Sequence, residues 1–199
     1  MLAARMAAGS RAWAVMAIVL ALGALALWPA PRVALDWQPA LAMVQPWRFW
    51  TAAWVHLSPL HLQANLLGCG MVAAFGVVAG LPREATIAWL AAWPLTHAAL
   101  ALQPTLSHYG GLSGLLHAGV AIAALLLAGR SNRRQRSIGL AVLAGLAAKL
   151  VLEHAWPGLP REVPGWDIRV APLAHLTGAA SGLLCGAASM LWARRKTVR

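Results

Sequence analysis

The sequence predicts an all-α, polytopic membrane protein, a bundle of six membrane-spanning helices. Three observations carry that prediction. Of 199 residues, 60% are hydrophobic and only 11% charged, where a soluble domain carries about 25% charged residues. Six apolar stretches approach or reach the length needed to cross a hydrocarbon core, which is about 20 residues. The basic residues gather on alternate connections between those stretches. In lipid, backbone groups must be satisfied within the segment, so stretches of this length are read as helices.

The first stretch, Ala12–Trp28, follows Arg5 and Arg11 and has the outline of a secretory leader. It is long for one, and five more stretches follow, so it is read as a retained helix. The connection from Pro29 to His56 is rich in Trp and Pro and partly apolar, which predicts a segment lying in the membrane interface. Leu57–Ala79 and Ala85–Leu102 form the second and third spans. The fourth, Ser113–Ala128, is short, and Gly110–Leu112 are expected to lie at membrane depth before it. Arg130–Ser137 is a polar connection to the fifth span, Ile138–Trp156. Pro157–Pro172 holds four prolines with Gly158 and Gly165, which predicts an irregular, mobile loop able to gate a neighbouring site. Leu173–Trp192 is the sixth span. No internal repeat stands out, and residues 1–199 are read as one membrane domain.

The formal charge of +11 suggests nucleic-acid binding until it is distributed over the loops. With the N-terminus inside, Arg5, Arg11, Arg83, Arg130, Arg133, Arg134, Arg136, Arg194, Arg195, Lys196 and Arg199 fall on the inner side. Arg32, Arg48, Arg161 and Arg169 fall outside, offset by Asp36, Glu162 and Asp167. An excess of 11 against 4 places both termini in the cytoplasm. The charge is a topology signal, and nucleic acid is not an expected partner. Trp28, Trp37, Trp47, Trp50, Trp54, Trp156, Trp166 and Trp192 fall near the predicted interfaces, as aromatic belts do. Cys69 and Cys185, one in each of two spans, are read as small packing residues rather than a disulfide or a zinc site.

This topology sets Ser113 and His175 near the outer ends of spans four and six, at similar depth. Polar and ionisable side chains are costly in a bilayer, so a candidate nucleophile and a candidate base together there point to chemistry. No His-Glu-x-x-His motif supports metal chemistry. Asp36 and Asp167 both lie in loops, which argues against an aspartyl pair. Neither metal nor organic cofactor is expected. Ser113 opens a helix, where the dipole and free N–H groups favour an oxyanion. His175 can take the serine proton and return it to a leaving amine. No acidic residue stands where it would orient His175, so a Ser–His dyad is expected. Gly178, Gly182 and Gly186 form one smooth face, and Gly114 with Ala118 another, so the two helices can approach closely. His61 and Asn65, four residues apart, share a helix face and can donate to an oxyanion with the N–H of Ser113.

These motifs resemble those of the rhomboid intramembrane serine proteases. Gly111-Leu112-Ser113-Gly114 is similar to their Gly-x-Ser-Gly. His175, Gly178 and Gly182 match the pattern of their last core helix, and His56, His61 and Asn65 that of their second. Pro46-Trp47-Arg48 resembles the Trp-Arg motif of the first loop, with Gln45 where many members have Glu. The resemblance implies a six-helix core with a cavity open to the outer face of a bacterial cytoplasmic membrane. It implies Ser113 as nucleophile, His175 as base, and His61 with Asn65 at the oxyanion. Many members carry Tyr four residues after the serine, stacked on the histidine; here that residue is His117. Leu115-Leu116-His117 and the short chain look like the rhombosortase branch. That branch implies transmembrane substrates bearing a C-terminal Gly-Gly motif, a span and a basic tail. A rhomboid protease of broader range and a non-catalytic rhomboid-like binder of transmembrane segments are the alternatives.

Five further polar residues lie near these motifs. Lys149 and Glu153 can pair at i,i+4 and, with His154, reach toward the outer interface. His97 is read as a packing or interfacial histidine. His108 borders the serine motif, either on the substrate path or as a solvated loop residue.

Overall fold

The computed structural model describes residues 2–103, 106–156 and 160–197. In chain order its helices are α1 (Leu2–Ala26), α2 (Arg32–Leu35), α3 (Arg48–Thr51), α4 (Pro59–Val78), α5 (Arg83–Ala98), α6 (Ser113–Ala128), α7 (Arg133–Leu152) and α8 (Pro172–Thr197). Among the described residues strand pairing is limited to two isolated bridges, Trp37 with Tyr109 and Arg161 with Val170. The chain is an all-α bundle of the polytopic membrane type. Five of its helices are long and apolar enough to cross a membrane. The sixth, Ser113–Ala128, has 16 residues and rises about 24 Å, less than a full hydrocarbon core of about 30 Å.

Local sequence explains where the helices start. Ser58 caps α4 by accepting from the His61 N–H at 3.1 Å, with Pro59 in the first turn, where its missing N–H costs nothing. Asn132 accepts from the Gln135 N–H at 3.1 Å and starts α7 at Arg133. Arg133–Ser137, read from sequence as part of a polar connection, is therefore helical. At its other end α7 stops at Leu152: Glu153 is the C-cap and His154 turns the chain with φ 45°. The predicted end at Trp156 is four residues too late, because apolar content does not reveal that turn.

α6 is apolar all round and rich in Ala and Gly, and it becomes the central helix. Its main neighbour is α8, and α4, α5 and α7 pack around it. Small residues permit the α6–α8 approach. A Cβ on Gly178 would run into the carbonyl of Gly114, and one on Gly182 would lie 2.5 Å from the Ala118 oxygen. α1 packs on α4 and α5, with Trp13 stacked on Trp89 at 4.4 Å. α7 leans on α6 and touches α8 only slightly, burying just Gly139 and Leu146. This peripheral helix leaves a cavity of about 1030 Å³ among α4, α6, α7 and the start of α8.

The connection between α1 and α4 is folded back on the bundle. Arg48 is 3% exposed and fastens it, with Nη1 on the Asp36 carbonyl (2.6 Å) and carboxylate (3.0 Å), Nη2 on the Val33 carbonyl, and Nε on Gln45 Oε1. Val33, Met43, Val44 and Trp47 stay exposed, consistent with the interfacial reading. Trp37 departs from that reading: it is fully buried, bridged to Tyr109 and stacked near His97. The connection before α8 is more ordered than its composition suggests. Arg161 and Val170 form a two-stranded bridge, and Asp167 Oδ1 accepts from Ser58 Oγ at 2.7 Å. Pro157, Gly158 and Leu159 lie outside the described residues. Cys69 and Cys185 are unpaired.

Candidate active site

Ser113 is the first residue of α6, with Leu112 as N-cap. The first backbone bond of the helix runs from the Leu116 N–H to the Leu112 carbonyl at 2.9 Å. The N–H groups of Ser113, Gly114 and Leu115 are therefore not used within the helix, and the positive end of its dipole lies at the serine. The preceding Gly111 has φ +134°, a conformation L side chains rarely adopt. A Cβ there would also lie 2.7 Å from His61 Nε2 and 3.7 Å from Asn65 Nδ2. Gly111 thus leaves open the space that His61 and Asn65 face.

The state of those two side chains follows from their partners. His61 Nδ1 accepts from the Leu57 N–H at 3.3 Å, so its neutral ring carries the proton on Nε2 and presents a donor beside Gly111. Asn65 Nδ2 is buried and has no hydrogen-bond partner among the described residues. A buried amide donor left unpaired is costly and marks a place where an acceptor is wanted. His56 stands behind them, its ring 4.8 Å from His61 and its Nδ1 3.1 Å from the Trp54 carbonyl. Burial pushes the His56 imidazole down to about 4, against the weaker pull of that carbonyl.

His175 lies in the first turn of α8 and is 6% exposed. Its ring is stacked on His117, with centroids 4.2 Å apart and planes 11° from parallel. His117 in turn donates from Nδ1 to the Ser113 carbonyl at 2.6 Å. The position read from sequence as a Tyr replacement therefore does hold a ring against His175. The expectation that no acidic residue stands at His175 is overturned. Glu153 Oε2 lies 2.8 Å from His175 Nδ1, and its other oxygen pairs with Lys149. The contact depends on where α7 stops. A helix continued to Trp156 would put Glu153 inside the helical run rather than at its cap.

Ser113, His175, His61, Asn65 and His117 all line the same cavity. Gly114, Gly178 and Gly182 hold its helices together, and His56 and Arg48 support it from behind and from the first loop. Among the described residues Ser113 Oγ makes no hydrogen bond to His175 in this state; such bonds are often long before a substrate binds. Tyr109 has no role in the reading from sequence. Its hydroxyl donates to the Gly111 carbonyl at 3.1 Å, with the Ser113 side chain and the Gly114 backbone as further hydrogen-bonding neighbours. Burial pushes this phenol up from its ordinary value, so it remains a donor. Of the residues left open, His108 lines the cavity and pairs with Asp36 at 2.7 Å, and His97 is buried on the Phe49 carbonyl at 2.6 Å.

Residues 44–191 match the family model described as Rhomboid domain. No curated protein matches the chain.

Proposed function

The chain belongs to the rhomboid family, whose members are generally intramembrane serine proteases acting on transmembrane substrates, and we propose that it is itself such a protease. The observation that carries this reading is the pair of donors beside Gly111. Among the described residues, His61 Nε2 and the unpartnered Asn65 Nδ2 flank a space next to Ser113 that no side chain occupies. Preorganised donors of this kind stabilise the charge that develops on a carbonyl oxygen.

In this mechanism Ser113 Oγ attacks the scissile carbonyl carbon while its proton passes to His175 Nε2. The carbonyl π pair moves to oxygen, and the resulting oxyanion is held by His61, Asn65 and the Ser113 N–H. Collapse re-forms the carbonyl, breaks the C–N bond and returns the proton from His175 to the leaving nitrogen. Water then repeats the sequence on the acyl-enzyme. The membrane is a bacterial cytoplasmic membrane, with both termini inside and the cavity opening outward.

The substrates are exported proteins with a C-terminal Gly-Gly motif, a span and a basic tail, as in the rhombosortase branch. His117 in place of the common Tyr supports that branch. The test is co-expression of a tagged Gly-Gly-anchor substrate with wild type, Ser113→Ala or His175→Ala. Cleavage by wild type alone, lost on altering the Gly-Gly pair, is the expected result. Cleavage indifferent to that pair would leave a rhomboid protease of broader range. No cleavage and no labelling of Ser113 by a phosphonate would leave a binder of transmembrane segments.

A further inference from the structure

We propose that Glu153 is a positioning residue for His175, making the site a Ser113–His175–Glu153 array; this rests on the protease reading above. The first support is tautomeric. Imidazole Nδ1 lies 2.8 Å from the Glu153 carboxylate, which can only accept, so Nδ1 carries the proton. A neutral ring so held has its lone pair on Nε2, the nitrogen that must take the proton from Ser113. Without a partner on Nδ1 the two tautomers compete, and only one of them is a base toward the serine.

The second support is charge. When Ser113 Oγ bonds to the carbonyl carbon and its proton moves to Nε2, the ring becomes an imidazolium. The Glu153 carboxylate then faces a full positive charge at hydrogen-bond distance, and the proton on Nδ1 stays where it is. Glu153 is in turn oriented through its other oxygen by Lys149, one helical turn back.

The third support is architectural. α7 packs mainly on α6 and barely on α8, so the Glu153–His175 contact is not a by-product of a tight helix seam. It exists because α7 ends at Leu152, with His154 at φ 45°, leaving Glu153 at the cap and within reach of α8. His117 covers the face of the same ring. His175 is thus fixed on its face from α6 and on its edge from α7. An ionisable residue near the end of a span is costly to keep there without a use.

The experiment compares Glu153→Gln and Glu153→Asp with wild type in detergent, on the cleaved substrate, with kcat and KM measured separately and melting followed in parallel. Glu153→Gln keeps the size and can still hydrogen-bond, but it loses the charge and the obligate acceptor. It is expected to lower kcat about ten- to a thousandfold with KM unchanged, the upper end short of the roughly 10⁴ lost when a fully buried triad carboxylate becomes an amide. Glu153→Asp keeps the charge on a shorter arm and is expected to recover at least tenfold of that loss. Wild-type kcat in Glu153→Gln would overturn the proposal. So would a loss that tracks melting temperature or KM rather than charge, with Glu153→Asp as poor as Glu153→Gln. If wild type neither cleaves nor labels at Ser113, the protease reading fails and takes the proposal with it; if wild type is active and the variants equal it, only Glu153 is excluded.

Discussion

His117 and His175 lie ring on ring, 4.2 Å apart and 11° from parallel. The first is anchored by its Nδ1 on the Ser113 carbonyl, so the stack ties the start of α6 to the start of α8. Aromatic pairs of this kind are worth about 0.5–1.5 kcal/mol beyond their buried area. His117→Ala is therefore expected to lower kcat/KM about two- to tenfold. His117→Phe keeps the ring without the hydrogen bond and is expected to recover most of that loss. A phenylalanine as damaging as alanine would assign the effect to the bond on Ser113 rather than to the stack.

The glycines of this chain do not all matter alike. Gly178 abuts the Gly114 backbone across the α6–α8 seam, whereas a Cβ on Gly70 of α4 would meet nothing within 4 Å. Gly178→Ala forces two backbones apart, and overpacking of this kind costs about 1–3 kcal/mol or more. Gly70→Ala only restricts the unfolded chain and improves helix propensity, by about 0.5–1 kcal/mol. Unfolding in mixed micelles is expected to move in opposite directions for the two variants. Equal effects would mean that the seam is looser than its backbone contacts imply.

Local patterns made the spans and most of the candidate site residues legible, and tertiary geometry hid the rest. α6 begins at Ser113 and ends at Ala128 as read, because Gly110 and Gly111 punctuate its start and Gly129 its end. His61 and Asn65 share a face because four residues make one turn, a relation independent of the rest of the fold. Glu153 was visible only as the i,i+4 partner of Lys149. Its contact with His175 depends on a helix end set by a single positive φ at His154, which composition does not encode. A signal that could have found it is an acidic residue near the end of an apolar span, where an ionisable group is a candidate for function. Tyr109 stands inside the serine motif, but its bridge to Trp37 and the bond from its hydroxyl to the Gly111 carbonyl are tertiary features. The loop before α8 reads as irregular by composition, and Asp167, 109 residues from Ser58 in sequence, supplies the missing order.

That bond between Asp167 and Ser58 closes the loop over the cavity. Trp166, the preceding residue, stands edge-on to His61 at 6.4 Å. A hydrogen bond to a charged group contributes about 1.5–3 kcal/mol where it is protected and less toward solvent. Asp167→Ala is expected to raise the rate at which a bulky phosphonate labels Ser113, by a few-fold and up to about tenfold. Ser58→Ala is the poorer variant, because it also removes the cap of α4 at the His61 N–H. Labelling rates unchanged in Asp167→Ala would mean that entry does not pass beneath this loop.

Acid is expected to weaken the fold through His56. His56 is 2% exposed and held at about 4 by burial, so it is neutral in the folded protein. In the unfolded chain it takes up a proton near its ordinary value of 6.5. The unfolded state therefore binds more protons between these two values, and stability falls as the pH drops through that window. Above 6.5 both states are neutral and the contribution is flat; below about 4 both are protonated and it levels off again. From pH 7 to 5 the loss from this residue is about 2 kcal/mol. Melting in detergent is expected to fall over that range, and His56→Gln is expected to flatten part of the slope by supplying a polar side chain that does not titrate. An unchanged slope in His56→Gln would place the acid sensitivity elsewhere in the histidine cluster, since His61 lies only 4.8 Å from His56.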